Sequence, residues 1–213
     1  MNWSADLVRA PINKNMITSV IPVDILCRHF GEAVQENVSL APYTSARIGG
    51  PADILLTVKS ADELADVMKV IWEHEMPYTI LGGGSNVLVS DKGLRGVVVL
   101  NRAREVRFES DDQPTVWCEA GVIFSNLANR CASKGLAGLE WAATVPGTIG
   151  GAVYGNAGAF GGDLRWSHDA FVCERGAGGE PGADGQHRDL DKSAADRRGQ
   201  PLRAVLPGRH RRG

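Results

Sequence analysis

Apolar residues recur at helical spacing in three segments of the chain. The first segment predicts a short amphipathic helix that ends at Gly31, and the third predicts a helix over residues 124–133. The second predicts a helix after Ser60, because Ser60 and Glu63 have the spacing of a capping box. The first helix is indicated by the amphipathic pattern of Ile25, Leu26, His29 and Phe30. The apolar face of the second is formed by Leu64, Val67, Met68, Ile71 and Trp72, and the inward face of the third by Leu127, Ala128 and Cys131.

Strands are predicted where β-branched and other apolar residues cluster between glycines and aspartates. The run 78–81 is interpreted as a buried strand. The other predicted strands cover residues 52–58, 87–89, 97–100, 105–109 and 115–120. A strand, a helix and a strand followed by a cluster of strands predict an α+β fold.

Composition divides the chain into unlike parts. Its 213 residues allow one or two domains, and 23 Lys and Arg against 25 Asp and Glu argue against a nucleic-acid partner. Residues 173–213, however, contain nine Lys and Arg, six Asp and Glu, eight glycines and no aromatic residue. We therefore interpret 1–22 as an irregular segment, 23–170 as a folded domain and 171–213 as a disordered tail.

The cysteines and the hydropathy pattern indicate a compartment. No run approaches the roughly 20 apolar residues of a membrane span, and residues 1–19 lack the apolar stretch of a signal peptide. Cys27, Cys118, Cys131 and Cys173 form no CxxC pair, and no histidine lies at zinc-finger spacing. We therefore expect reduced thiols, no metal site and a cytoplasmic protein.

The sequence Leu81-Gly-Gly-Gly-Ser-Asn86 directly follows a predicted strand. Three glycines let consecutive backbone N–H groups point into one concavity, and pyrophosphate is a natural occupant of such a nest. The side chains of Ser85 and Asn86 add further donors. The alternative interpretation of this motif is a tight turn between two strands. A Rossmann fingerprint needs glycine where the chain has Val87, and no Gly-Lys-Ser/Thr exists, so neither a Rossmann nor a P-loop site is predicted.

Two further segments carry candidate binding residues. The stretch 145–162 is long, rich in glycine and nearly free of charge, which suits a backbone that lies against a flat ligand or packs tightly on other backbone. Asn156 is the side-chain amide of this stretch. Arg47 precedes Gly49 and Gly50, and near a dinucleotide diphosphate it would supply a paired charge.

Together these segments resemble the UDP-N-acetylenolpyruvoylglucosamine reductase family, also called UDP-N-acetylmuramate dehydrogenases. The matching sequences are Thr44-Ser-Ala-Arg-Ile-Gly-Gly-Pro-Ala52, Leu81-Gly-Gly-Gly-Ser-Asn-Val-Leu88 and Val145-Pro-Gly-Thr-Ile-Gly-Gly-Ala-Val-Tyr-Gly-Asn-Ala-Gly-Ala-Phe-Gly161. Their order and spacing also match, over about residues 24–165. The resemblance implies a two-lobed FAD-binding fold of the vanillyl-alcohol-oxidase type, with a small βαβ lobe at 43–101, a second lobe at 102–170 and FAD between them.

The resemblance also implies which residues bind FAD. The loop that cradles the pyrophosphate is matched by Gly82, Gly83, Gly84, Ser85 and Asn86. The stretch beside the rest of the flavin is matched by Pro146, Gly147, Gly151, Asn156, Ala157 and Gly158. Arg47 matches an arginine at the same site.

The reaction implied by the resemblance reduces the enolpyruvyl ether of UDP-N-acetylglucosamine to UDP-N-acetylmuramate, a step of peptidoglycan precursor synthesis. NADPH reduces FAD, and the flavin then delivers hydride to the vinyl carbon of this nucleotide-sugar substrate. The family's catalytic arginine, serine and glutamate lie beyond the second glycine stretch, and none has a match here. We therefore assign no catalytic residue and expect an inactive fragment.

The resemblance ends between Leu164 and Val172, where the composition changes. We expect the C-terminal substrate domain to be missing and the residues after about 170 to be an out-of-frame translation of GC-rich DNA. A genuine short homologue with a disordered tail is the alternative. A non-catalytic FAD-binding module and another oxidase of the same flavin fold are the alternative functions.

Overall fold

The computed structural model describes residues 22–109 and 115–164, together with the backbone of residues 172–173 and 202–205. The chain divides into two compact units, one formed by residues 1–57 and 69–100 and the other by residues 58–68 and 101–213. Helices and strands occur in both, which confirms the predicted α+β class. The segment 1–22 predicted to be irregular lies, apart from Pro22, outside the described residues.

The first unit is built around a four-stranded sheet. Its elements are helix α1 (Val23–Phe30), strands β1 (Val34–Ser39), β2 (Pro51–Val58), β3 (Tyr78–Leu81) and β4 (Leu94–Asn101), and residues 69–73 of helix α2 (Ala61–Glu73). Residues 61–68 of α2 are grouped with the second unit. The strand order is β1-β2-β4-β3, with β1 antiparallel to β2 and β3 parallel to β4. A buried apolar cluster packs on this sheet and comprises Leu40, Ala52, Leu55, Leu81, Val89, Val98 and Leu100.

Helices α1 and α2 begin and end near the predicted residues. Helix α1 ends at Phe30, with Gly31 at positive φ as its C-cap. Helix α2 follows Ser60, whose Oγ accepts the N–H of Glu63 at 3.1 Å. Trp72, predicted to face inward, is 40% exposed, so the apolar face of α2 is narrower than the sequence pattern indicates.

Three strand assignments in this unit differ from the prediction. Strand β1 was not predicted, because its alternation is mostly polar and its residues are half-buried or exposed. Strand β3 is an edge strand in which only Leu81 is buried, since it has a hydrogen-bonded neighbour on one side. The predicted strand 87–89 is not a strand, because Val89 packs into the core while Leu88 is 67% exposed and no neighbouring strand pairs with them.

The second unit combines a small sheet with two helices and a hairpin. Its elements are strands β5 (Val106–Glu109) and β6 (Thr115–Cys118), helices α3 (Phe124–Ser133) and α4 (Ile149–Tyr154), and strands β7 (Gly158–Ala159), β8 (Gly162–Asp163), β9 (Val172–Cys173) and β10 (Leu202–Val205). One sheet has the order β5-β6-β10-β9, and β7 pairs with β8.

Helix α3 spans the predicted residues, and Leu127, Ala128 and Cys131 are buried as expected. These side chains belong to a core cluster that also includes Val116, Cys118, Phe124, Leu139 and Ile149. Burial raises the pKa of Cys118 to about 12 and that of Cys131 to about 11, so both thiols are protonated at neutral pH. Both are free, as is the exposed Cys27.

Strands β9 and β10 lie within the segment interpreted as a disordered tail. Strand β10 pairs antiparallel with β6, with Leu202 opposite Cys118, and β9 pairs with β10. These segments therefore differ from the sequence interpretation, because the free edge of β6 supplies backbone partners that composition does not reveal. The remainder of 171–213 lies outside the described residues. Of the helices described, none is long and apolar enough to cross a membrane.

Candidate functional site

Two of the sequence motifs meet within the first unit. The N–H of Ser45 donates a hydrogen bond to the carbonyl oxygen of Gly84 at 2.9 Å. Gly84 is buried at φ +65°, and a Cβ there would overlap the carbonyl oxygen of Tyr43. The absence of a side chain at Gly84 therefore lets the loop 82–86 pack directly on the segment that precedes Arg47.

Three backbone donors of the glycine loop are not used in any hydrogen bond between the described residues. Among the described residues, none of the hydrogen bonds is donated by the amides of Gly83, Gly84 or Ser85. Gly83 and Ser85 are half-buried, and Asn86 is exposed. Half-buried N–H groups without protein acceptors are suited to an anionic ligand that approaches the backbone.

Arg47 directly follows the turn that contacts this loop. It is exposed and has φ +56°, a left-handed conformation that non-glycine residues seldom adopt. Its guanidinium makes one long hydrogen bond, 3.5 Å, to the carbonyl oxygen of Pro42, and no carboxylate pairs with it among the described residues. The positive charge of Arg47 is therefore available to a ligand.

Gly49 and Gly50 pack closely against residues 89–91. The N–H of Gly50 donates to the carbonyl oxygen of Ser90 at 2.9 Å. A Cβ at Gly49 would lie 2.8 Å from that of Val89, and a Cβ at Gly50 would overlap the carbonyl oxygen of Asp91. The segment 44–52 and the loop that begins at Leu81 are therefore closely packed against each other.

The second glycine stretch contains a helix, α4, that its sequence pattern does not predict. Helix α4 forms there because Thr148 caps it, accepting the N–H of Gly151, and because Ile149 and Ala152 are buried one turn apart. Tertiary packing therefore outweighs the weak helix propensity of Gly150 and Gly151.

The predicted residues of this stretch lie in α4 and on either side of it along the chain. Gly147 precedes it at φ +103°, and Pro146 and Gly151 are exposed. Asn156 follows it at φ +44° with an exposed side chain, the N–H of Ala157 donates to the carbonyl oxygen of Ala152, and Gly158 begins β7. The exposed backbone and the Asn156 amide can contact a ligand.

One residue near this stretch was missed by sequence reasoning. Glu119 is 4% exposed, and its two carboxylate oxygens accept the N–H groups of Ala61 and Glu105, each at 2.7 Å. The available signal was a charged residue near the end of the predicted strand 115–120, directly before Ala120-Gly121.

Comparisons with known proteins bear out the family resemblance. A UDP-N-acetylenolpyruvoylglucosamine reductase from Rubrobacter xylanophilus is 48% identical over 132 residues, which cover 60% of this chain and 44% of the relative. The crystal structure of UDP-N-acetylenolpyruvylglucosamine reductase from Thermus caldophilus aligns with a TM-score of 0.59 at 28% identity, covering 83% of this chain and 64% of that one. The chain thus spans less than half the length of the first relative.

A more distant structural likeness concerns the fold alone. Cholesterol oxidase from Brevibacterium sterolicum aligns with a TM-score of 0.53 at 14% identity, covering 83% of this chain and 37% of that one. Together with the Thermus structure, this likeness confirms the predicted fold of the vanillyl-alcohol-oxidase type.

A sequence model described as "FAD binding domain" matches residues 52–174. This match includes the glycine loop, helix α4 and the hairpin β7–β8. Because it covers more than half of the chain, we identify this protein as a member of the FAD-binding domain family.

Proposed function

We propose that this chain binds FAD and derives from the NADPH-dependent reductases that convert UDP-N-acetylglucosamine enolpyruvate to UDP-N-acetylmuramate in peptidoglycan precursor synthesis. The identity of 48% with the Rubrobacter reductase supports this reaction class. The observation that carries the cofactor proposal is the glycine loop, in which the amides of Gly83, Gly84 and Ser85 have no acceptor among the described residues.

The residues of the first unit fit a dinucleotide diphosphate. The amides of Gly82, Gly83, Gly84, Ser85 and Asn86, with the Ser85 and Asn86 side chains, would hold its oxygens. Arg47 would balance its negative charge, since no carboxylate competes for the guanidinium in the described part of the chain.

In the second unit, six residues would lie along the rest of the cofactor: Pro146, Gly147, Gly151, Asn156, Ala157 and Gly158. Exposed backbone would lie against the flat ring system, and the Asn156 amide would donate and accept hydrogen bonds at its edge. Bound FAD supplies hydride transfer between NADPH and the enolpyruvyl substrate, while the protein binds and orients the ring.

FAD binding is tested by incubating the purified chain with FAD, desalting it and recording the visible absorbance. We expect retained flavin and a saturable dissociation constant from quenching of flavin fluorescence. A chain that is folded by circular dichroism yet retains no flavin contradicts the proposal.

The role of Arg47 is tested with Arg47→Ala and the matched control Arg28→Ala. Arg28 is an exposed arginine on helix α1 of the same unit. Loss of a charge-assisted hydrogen bond costs roughly 1.5 kcal/mol, so Arg47→Ala should raise the FAD dissociation constant about 10-fold. The control should bind as the wild type does. Equal affinities for all three proteins would exclude Arg47 from the site.

We expect this 213-residue polypeptide to bind FAD without turnover. None of its residues matches the family's catalytic arginine, serine or glutamate, an observation that also favours the alternative of a non-catalytic FAD-binding module. The measurement is NADPH oxidation in the presence of the enolpyruvyl nucleotide sugar, and detectable turnover would contradict this part of the proposal. A cytoplasmic location belongs to the same proposal.

The origin of the residues after about 170 is part of the proposal as well. Their Arg, Gly, Pro, Ala and Asp are the residues that GC-rich codons encode, which supports an out-of-frame translation. The other two reading frames of the gene past codon 165 decide the matter. If neither encodes the Tyr-Arg-x-Ser element and the later motifs, the frameshift hypothesis is wrong.

A further inference from the structure

Glu119 holds together three parts of the second unit. Of the residues described, it is the only one that combines an acidic side chain with burial. A buried carboxylate is costly unless hydrogen-bonded, and here Oε1 accepts from Ala61 and Oε2 from Glu105. Ala61 is the first residue of helix α2, where the helix dipole favours a negative charge.

The segment that follows Glu119 is bonded to the second glycine stretch. The carbonyl oxygen of Ala120 accepts the N–H of Gly150 and that of Val122 accepts the N–H of Ile149, both at 2.9 Å. The N–H of Phe124 in turn donates to the carbonyl oxygen of Gly147 at 3.0 Å. The segment 119–124 therefore fixes the backbone that enters helix α4.

Close packing leaves this segment little room to move. A Cβ at Gly121 would overlap the carbonyl oxygen of Ala103, and one at Gly150 would lie 3.0 Å from the Cβ of Ala120. A displacement of the chain at Glu119 would therefore be transmitted to residues 147–150.

We propose that Glu119 is a positioning residue for the flavin site, because its carboxylate sets the placement of residues 147–150 through the segment 119–124. This inference rests on the proposed binding of FAD. Glu119 itself contacts neither the glycine loop nor the predicted residues of the second stretch in the hydrogen bonds described. It acts through Ala120 and Val122.

The variant Glu119→Gln tests this role with little change in shape. Glutamine has one acceptor oxygen, and its NH2 group would face a backbone donor, so one of the two hydrogen bonds is lost. Glu63→Gln is the matched control. The Glu63 carboxylate also accepts a backbone N–H beside the start of α2, that of Lys59 at 2.7 Å, but it is exposed and has no hydrogen bond to the segment 119–124.

The experiment measures the FAD dissociation constant, the visible circular dichroism of bound flavin and amide hydrogen exchange. We expect Glu119→Gln to raise the dissociation constant about 10-fold, to alter the flavin spectrum and to speed exchange at Ile149 and Gly150. Glu63→Gln should match the wild type in all three. The proposal is overturned if Glu119→Gln binds FAD with the wild-type affinity or if Glu63→Gln weakens binding equally. It is also overturned if Glu119→Gln speeds amide exchange only at Ala61 and Glu105 and not at Ile149 and Gly150.

A second variant covers the case in which Glu119→Gln does not fold. Glu119→Asp keeps the charge and both acceptor oxygens on a side chain shorter by one methylene. It should weaken FAD binding and speed exchange at Ile149 and Gly150, and unchanged values would overturn the proposal. If the wild type binds no FAD, the proposed function fails, whereas the exchange data still decide whether Glu119 holds residues 147–150.

Discussion

The backbone N–H of Ser45 donates to the carbonyl oxygen of Gly84, joining two glycine-rich motifs that lie 39 positions apart in the chain. This bond requires the close approach of Gly84 to Tyr43, which a side chain at Gly84 would prevent. The contact joins the segment before Arg47 to a loop in which the amides of Gly83, Gly84 and Ser85 have no acceptor among the described residues.

Replacing Gly84 by alanine should destabilise the first unit. The left-handed backbone costs a non-glycine residue about 1–2 kcal/mol, and the added Cβ must also displace the backbone at Tyr43. We expect a loss of at least about 2 kcal/mol in the free energy of unfolding, measured with urea. The control is Gly31→Ala, also at positive φ but with nothing within 4 Å of the added Cβ. A loss no larger than that of Gly31→Ala would show that the approach to Tyr43 is not tight.

Thr148→Val should weaken helix α4 with little change in volume. The Oγ1 of Thr148 accepts the N–H of Gly151, and loss of such a cap costs about 1 kcal/mol. Thermal unfolding measures the effect, and Thr144→Val is the control because Thr144 is exposed and caps no helix in the structure described. Equal melting temperatures for the two variants would argue against the cap.

The thiols should differ sharply in reactivity. Cys27 is exposed, whereas Cys118 and Cys131 are buried and their pKa values are raised by burial. At pH 8 a thiol-specific reagent should modify Cys27 in the native protein and leave the other two unmodified until the chain is unfolded. Peptide mass spectrometry locates the modification. Labelling of Cys118 at the rate of Cys27 would contradict its burial.

Alkaline pH should lower the stability of the second unit through Cys118. The unfolded thiol ionises near its ordinary pKa of 9.0, whereas the folded thiol stays protonated up to a pKa of about 12. Between these values the unfolded state binds fewer protons, so the free energy of unfolding falls by about 1.4 kcal/mol per pH unit for this group. Below pH 9 this contribution is constant. Urea titrations should show that the free energy of unfolding falls more steeply with pH above pH 9 in the wild type than in Cys118→Ala. Equal pH dependence in the two proteins would refute the raised pKa of Cys118.

Local sequence signals predicted helices α1, α2 and α3, but not α4. Helix α3 is found over the predicted residues because Leu127, Ala128 and Cys131 lie on one face that the core of its own unit buries. Helix α2 was recognisable from Ser60 and Glu63, whose interaction is local. Both signals depend on residues three or four positions apart.

Strands were predicted less well because their pairing is not local. Residues 87–89 are β-branched or aliphatic, as in a strand, yet they have no neighbour in the sheet. Strand β1 is mostly polar and forms because β2 offers backbone partners. Hydrophobic pattern alone does not reveal which strand edge is available.

The sequence by itself determined the motifs and their order, from which the family and the candidate cofactor residues followed, and its periodicity determined the α+β class. Those features depend on residue types at short spacing, such as glycines that permit close approach of the backbone. The tertiary structure alone decided that Ser45 bonds to Gly84, that a helix forms in the second glycine stretch, and that Glu119 joins Ala61 and Glu105. These relationships depend on hydrogen bonds and packing between distant segments, which become defined only when the chain has folded.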